Sequence, residues 1–463
     1  MPSTSINRTN SSASGTTWTV SCWVKQCQNT GDGGIFQFYQ NNSNVISLYS
    51  NPIVKFRAFI SDGYSAGDMT LNVLKRDPNA WSHYVAVCDT TNSTAADRWR
   101  LYINGDRVDD DSNLVSSKTN PSSSYSFSPV VGGDFNLGAY FSNFSNHNYA
   151  HVHYCDGYAY TASNFGSTDA TTGEWKPNTA PSVTYGTNGF FLKFEDRASL
   201  LTDSSGNNQT MSLSGSGNVT QTIDNPSNVF ATLNPVAQYG SNQGTLSNGN
   251  TTWVWSNYQV NARSTLGMPK GKFYWEQRCN VPSAGDEGSN RIGMCTSAFS
   301  NFIDTDSTDA HYNAIGNGGI YLMMSAASTS WQRTNNDTSK NVDTYTNATA
   351  LATGDIIMNA VDVDTGKYWI GINGTWMYSG NPATGANAQI TFTNSGGDDL
   401  QVFLGSGTNN SRSFSFNFGN GYYGTTAITT NSGNGYAGAE GASKFKYQPP
   451  TGYSAINTKG LNL

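Results

Sequence analysis

Charge is what this chain lacks most. Asp, Glu, Lys and Arg together make up 12% of its 463 residues, about half the usual share. Glutamate is the scarcest of them, with only Glu174, Glu195, Glu276, Glu287 and Glu440. Good helix formers are therefore thin on the ground. The balance is acidic, net −7, and no Lys/Arg cluster interrupts it, which argues against nucleic acid as a partner. No apolar stretch is long enough to span a bilayer, so no membrane insertion is expected. The opening MPSTSINRTN has no basic region leading into an apolar run, so no secretory signal is expected. Cysteine is limited to Cys22, Cys27, Cys88, Cys155, Cys279 and Cys295, with no CxxC pair. Several sit at apolar strand positions, which favours buried free thiols. Spacing alone leaves a Cys22–Cys27 or Cys279–Cys295 disulfide open.

Asn, Ser, Thr and 48 Gly fill the space that charge leaves, and aromatics reach 13%. That mixture suits many short strands joined by polar turns, an all-β chain long enough for two or three cores. The most informative stretch is Thr353 to Trp376, TGDIIMNAVDVDTGKYWIGINGTW. Strand-like runs at Ile356 to Val363 and Lys367 to Ile372 flank Asp364-Thr365-Gly366, and Asn373-Gly374 reverses the chain again. Three antiparallel strands are expected, with Val361 and Val363 on one face and Tyr368 and Ile370 on one face. A smaller hairpin, WRLYINGDRV over Trp99 to Val108, turns at Asn104-Gly105. Two hairpins in separate all-β surroundings point to two β-sandwich domains. The division expected is 1–195, a turn-rich connector over 196–235, and 236–463.

In the first domain, TWTVSCWVK alternates with Trp18, Val20, Cys22 and Val24 on one face. With WSHYVAVCD, RLYINGDRV and the closing YAHVHYCDGYAYTASNFG, it resembles the laminin-G-like, concanavalin-type jelly roll over most of residues 5 to 177. Its first strand is short. The resemblance leaves that sheet edge to be completed by Gly189 to Phe194 or by a partner chain. In the second domain, GKFYWEQRC, RIGMC, the organising stretch, FSFNFG and YQPPTGYSAINTKGLN resemble a SPRY domain over nearly all of residues 250 to 463. The two modules in this order, joined through FGSTDATTGEWKPN, FLKFED and FATLNP, resemble virion proteins of marine tailed phages. That resemblance implies a fibre, appendage or head-surface component, assembled in the host cytoplasm and exposed on the particle. Expected partners are other virion proteins and a host-surface glycan or protein receptor, with a symmetric homo-oligomer such as a trimer.

Candidate chemistry is sparse. Retaining glycoside hydrolysis needs two carboxyl groups about 5 Å apart. Here Glu195 and Asp196 are neighbours pointing to opposite faces, and Glu276 stands alone among aromatics. No enzyme activity is expected. His151, His153 and Cys155 alternate along YAHVHYC, near His147. The bland reading, an outward polar face with Val152 and Tyr154 inward, is favoured over zinc, because three ligands along one flat strand do not close a tetrahedron. A calcium site is the cofactor reading considered, with Asp109, Asp110 and Asp203 as ligands, although Asx turns account for such residues equally. The binding-surface candidates are aromatics in or beside Gly/Asn-rich loops. They are Trp253, Trp255, Trp331, Trp376, Tyr422 and Tyr423, placed to stack on sugar rings or anchor a partner.

Overall fold

Alternation along the strand Thr17–Gln26 sets up the first unit. Trp18, Val20, Cys22 and Val24 are fully buried on the core face, while Thr19, Ser21 and Trp23 turn the other way. This strand lies inside a six-stranded antiparallel sheet. The order is Phe190–Leu192, His147–Asp156, Thr17–Gln26, Trp81–Asp89, Trp99–Ile103, Asp106–Arg107. An eight-stranded sheet faces it, running Val115–Thr119, Gly63–Leu74, Ile53–Ile60, Asn44–Asn51, Gly33–Asn41, Asp134–Leu137, Thr4–Thr9, Ser212–Gly215. Between the sheets pack Trp18, Phe38, Phe56, Trp99, Phe135 and Tyr154. Trp99 stacks on Phe56 at 3.9 Å and meets Trp18 edge-on at 5.9 Å. Each such ring contributes about 1.5–3 kcal/mol by burial, plus a smaller geometric term.

A computed structural model describes residues 4–27, 33–61, 63–217, 219–238, 243–256, 260–282, 290–296, 319–324, 331–335, 344–345, 350–393, 399–406, 411–429 and 435–462. The chain divides into Met1–Gln221 with Asn225–Ser227, and Thr222–Asp224 with Asn228–Leu463. The stretch read as a connector over 196–235 is shared between the units. Ser212–Gly215 pairs with Thr4–Thr9 in the first unit. In the second, Phe230 and Leu233 bridge to Asn457 and Ser264. Turn residues mark where a chain bends, but they do not reveal that the bent chain is also a sheet edge. The same long-range pairing corrects the expected edge completion. Ser212–Gly215 covers the short first strand, while Phe190–Leu192 joins the opposite sheet beside His147–Asp156.

The second unit is also a sandwich. Its eight-stranded sheet follows Thr245–Ser247, Thr252–Trp255, Arg412–Asn417, Lys272–Val281, Ile356–Asp362, Lys367–Ile372 and Thr375–Trp376, with Ile390–Thr391 also paired to Lys367–Ile372. The other sheet is Val260–Met268, Leu400–Ser406, Asn290–Cys295, Gly319–Met324, Trp331–Asn335 and Thr344–Tyr345. The organising stretch forms the three expected strands. Val361, Val363, Tyr368 and Ile370 all enter the core. Asn373 turns with φ 49° and Gly374 with φ 89°, the double left-handed geometry that an Asn-Gly hairpin supplies. All six cysteines are buried free thiols. No helix among the described residues is long and apolar enough to cross a membrane.

Candidate binding surfaces

The structure moves most of the aromatic candidates inside. Trp253 and Trp255 are 0% and 2% exposed and stack on each other at 4.0 Å. Trp253 donates its indole N–H to Gln238 Oε1 at 2.9 Å. Alternation put both indoles on one face, but that face is the one turned to the core. Tyr422 and Tyr423 are likewise buried, folded inward by a short ribbon in which Tyr422–Tyr423 pairs with Thr426–Ala427. Trp331 begins a strand, and its side chain lies outside the described residues. Among the described side chains of the set, only Trp376 keeps a half-buried ring, edge-on to Tyr274 at 6.3 Å. It sits just past the Asn373-Gly374 turn, where the Tyr447 ring lies against Gly374.

The aspartates proposed for calcium do not form one site. Asp109 is buried and already holds Lys118 Nζ at 2.7 Å and Arg107 Nη2 at 3.0 Å. It also accepts the Leu101 N–H at 3.0 Å. Asp110 is exposed, 3.5 Å from Arg107 Nε. Asp203 is the hub of an Asx turn, accepting the N–H groups of Phe191, Ser205 and Gln209 at 2.9 Å each. Asp109 follows the last strand of the six-stranded sheet, and Asp203 bridges to Leu192 at its opposite edge. Five strand spacings separate those edges, roughly 24 Å. Among the described residues no three His, Cys, Asp or Glu side chains gather as a metal site.

Glu276 is a buried, fully hydrogen-bonded carboxylate in this fold. It is fully buried and accepts five donors: Tyr274 OH at 2.9 Å, Tyr423 OH, the N–H of Lys446 at 2.9 Å, the N–H of Tyr447 at 2.8 Å, and Asn417 Nδ2 at 3.3 Å. Burial pushes its pKa up while these hydrogen bonds pull it down, and the net direction is upward.

The outer face of the six-stranded sheet holds the group that sequence reasoning missed. A register shift between Ala150 and His153 opposes the strand Thr17–Gln26, and His151 takes φ 46° there. Val152 and Tyr154 face the core as expected. His153 and Cys155 face outward, yet both are buried. Beside them lies His83, opposite Trp23 in the neighbouring strand. Residues 157–189 fold back over this face and bring Phe165, Trp175 and Tyr185 onto it. The Trp175 indole N–H donates to His83 Nδ1 at 2.9 Å, and Tyr185 OH lies 3.0 Å from His153 Nδ1. Two glycines make room for that indole. A Cβ on Gly105, at φ 93°, would lie 2.6 Å from the Trp175 ring, and one on Gly166 also 2.6 Å.

At the start of this covering segment Tyr158 is 41% exposed and stacks on Tyr160 at 5.9 Å with 14° between the rings. Thr19 Oγ1 grips both ends of the step, donating to the Tyr158 carbonyl at 2.8 Å and accepting the Tyr160 N–H at 2.9 Å. Tyr160 OH accepts the Thr184 N–H at 2.8 Å. The result is a partly exposed ring beside a second ring, on backbone that is tied to the sheet. Its only sequence signal is the Tyr-Ala-Tyr spacing beside Gly157.

Residues 3–145 match the model of the concanavalin A-like lectin/glucanases superfamily. None of the curated proteins matches the sequence. Similar solved structures include the SPRY domain of human HERC1, 14% identical over 40% of this chain and 96% of that one, TM-score 0.28. Domains LG4-5 of the mouse laminin alpha1 chain align at 8% identity over 89% of this chain and 78% of that one, TM-score 0.28. A heptameric SAP-like pentraxin from Limulus polyphemus aligns at 15% identity over 46% and 90%, TM-score 0.29.

Proposed function

We propose that this chain is a non-enzymatic adhesion protein that binds a surface glycan through its N-terminal, lectin-like sandwich. The observation that carries the reading is the Tyr158–Tyr160 step, with Tyr158 41% exposed and the backbone of the step held by Thr19. Sugar rings present apolar C–H faces that stack on aromatic rings, and backbone already fixed beneath the ring lowers the ordering cost of binding. Trp376, half-buried at the hairpin tip of the second unit, is the second platform. The order of the two modules supports placement on a tailed-phage particle, with symmetric copies turning weak sites into strong attachment. The test is a glycan microarray probed with the full chain, Tyr158→Ala and Trp376→Ala. Binding that Tyr158→Ala weakens at least about tenfold (about 1.4 kcal/mol) supports the reading. No glycan bound, or equal binding by all three proteins, contradicts it.

A further inference from the structure

Two buried imidazoles meet the covering segment on the sheet; the bond at His83 needs the neutral ring, and the site around His153 disfavours the charged one. An indole N–H can only donate, so His83 Nδ1 carries a lone pair where it meets Trp175. The His83 proton therefore sits on Nε2, which lies 2.8 Å from Ser21 Oγ. A second proton on Nδ1 would point at the indole N–H and break that bond. At His153 the constraint lies on the other nitrogen. Its Nδ1 meets Tyr185 OH, and its Nε2 is buried with no hydrogen-bond partner. An imidazolium there would leave a charged N–H without an acceptor.

Among the described residues, no carboxylate acts directly on either ring. His83 is sandwiched by Trp23 at 4.9 Å and Trp175 at 6.0 Å, and its electrostatic neighbour is His151. His153 packs on Phe191 at 4.0 Å, Phe165 at 5.0 Å and Tyr185 at 6.1 Å, and it senses His151 and His83. His151 itself faces Glu195 and Lys193, of opposite sign. Tyr185 senses Cys155, Asp203 and Tyr160. Cys155 stays a neutral thiol, because burial pushes it far up.

We propose that residues 157–189 form an acid-released flap, latched to the six-stranded sheet by Trp175 on His83 and Tyr185 on His153. Protonation of the two rings favours the open form, in which they reach water. Burial holds His83 down at about 3 and His153 well below 6.5. Lowering the pH from 6.5 to 4.5 then shifts opening about fiftyfold through His83, and His153 acts in the same direction. The flap does not depend on the glycan reading, although it carries Tyr158 and would move that ring with it.

Hydrogen exchange on the full chain tests this, with rates corrected for the intrinsic effect of pH. Protection of peptides within 157–189 is expected to fall at least a hundredfold between pH 7 and 4.5, while Thr17–Gln26 and Trp81–Asp89 stay protected. Unchanged protection of 157–189, or loss in step with those strands, overturns the flap. The double variant His83→Gln/His153→Gln keeps a neutral acceptor and donor at each position, and it should remain closed at pH 4.5. Acid opening of that variant like the wild type also overturns the proposal. Histidine ring NMR on the unmodified protein gives a third readout that needs no variant to fold. The His83 and His153 signals should become protonated only as the segment opens, and protonation in the closed form contradicts the latch.

Discussion

Glu276 is tolerated in the interior because both of its oxygens accept protein donors. Two tyrosine hydroxyls, two backbone N–H groups and one asparagine amide converge on it. Glu276→Gln keeps the shape but turns one acceptor into a donor facing donors. A loss of about 2–4 kcal/mol is expected, read as the shift in the urea midpoint of the full chain. A midpoint within about 0.5 kcal/mol of wild type would mean the site relaxes around the amide. Gly105 illustrates a different constraint. It combines φ 93° with a Cβ direction blocked by the Trp175 ring. Gly105→Ala should cost about 1–3 kcal/mol and raise exchange in 157–189 before it affects the core strands. Equal exchange in both regions would show that Trp175 does not bear on that turn.

At the scale of elements, the C-terminal tail is a cover for a sheet face. Tyr274, Met358, Ala360 and Trp369 point away from the main core and pack under Phe445, Tyr453 and Ala455. The tail is tied down by Tyr274 N–H to the Ser454 carbonyl and by Glu276 to Lys446 and Tyr447. Truncation after residue 435 should expose that aromatic face. Increased binding of a hydrophobic dye and aggregation at micromolar concentration are the expected readouts. A truncated chain that stays monomeric and dye-negative would contradict this role. Elements of this kind differ in how well the sequence announces them. The three strands of Thr353 to Trp376 were legible because Asn373-Gly374 and Asp364-Thr365-Gly366 are local signals that need no distant partner. The pairing of Ser212–Gly215 with Thr4–Thr9 was not, since neither strand names the other across some two hundred residues. Among the site residues, the period-2 rule correctly put Trp253 and Trp255 together but could not tell which face was wet. The alternation of YAHVHYC held through Val152 and Tyr154, but neither the register shift before His153 nor the segment that buries this outer face has a local signal.

For the whole molecule, the buried histidines give stability a definite pH dependence. His83 and His147 sit at about 3 and about 4 in the fold, and His153 well below its ordinary value, all through desolvation first. The unfolded chain, near 6.5, therefore binds more protons. The stability they contribute is present above about pH 6.5 and is lost as pH falls, at up to about 1.4 kcal/mol per unit for each ring. The denaturation midpoint of the first unit should fall steadily from pH 7 to pH 5. A constant midpoint would mean these rings are wet in solution. Adhesion is the central claim at this scale, and it rests on one aromatic face. The direct test is equilibrium binding of the full chain to an immobilised polysaccharide that scores on the array, comparing Tyr158→Phe and Tyr158→Ala with wild type. If the ring face does the binding, Tyr158→Phe should stay within about twofold while Tyr158→Ala weakens at least about tenfold. Wild-type affinity in Tyr158→Ala, or equal damage from both substitutions, would contradict attachment through this ring.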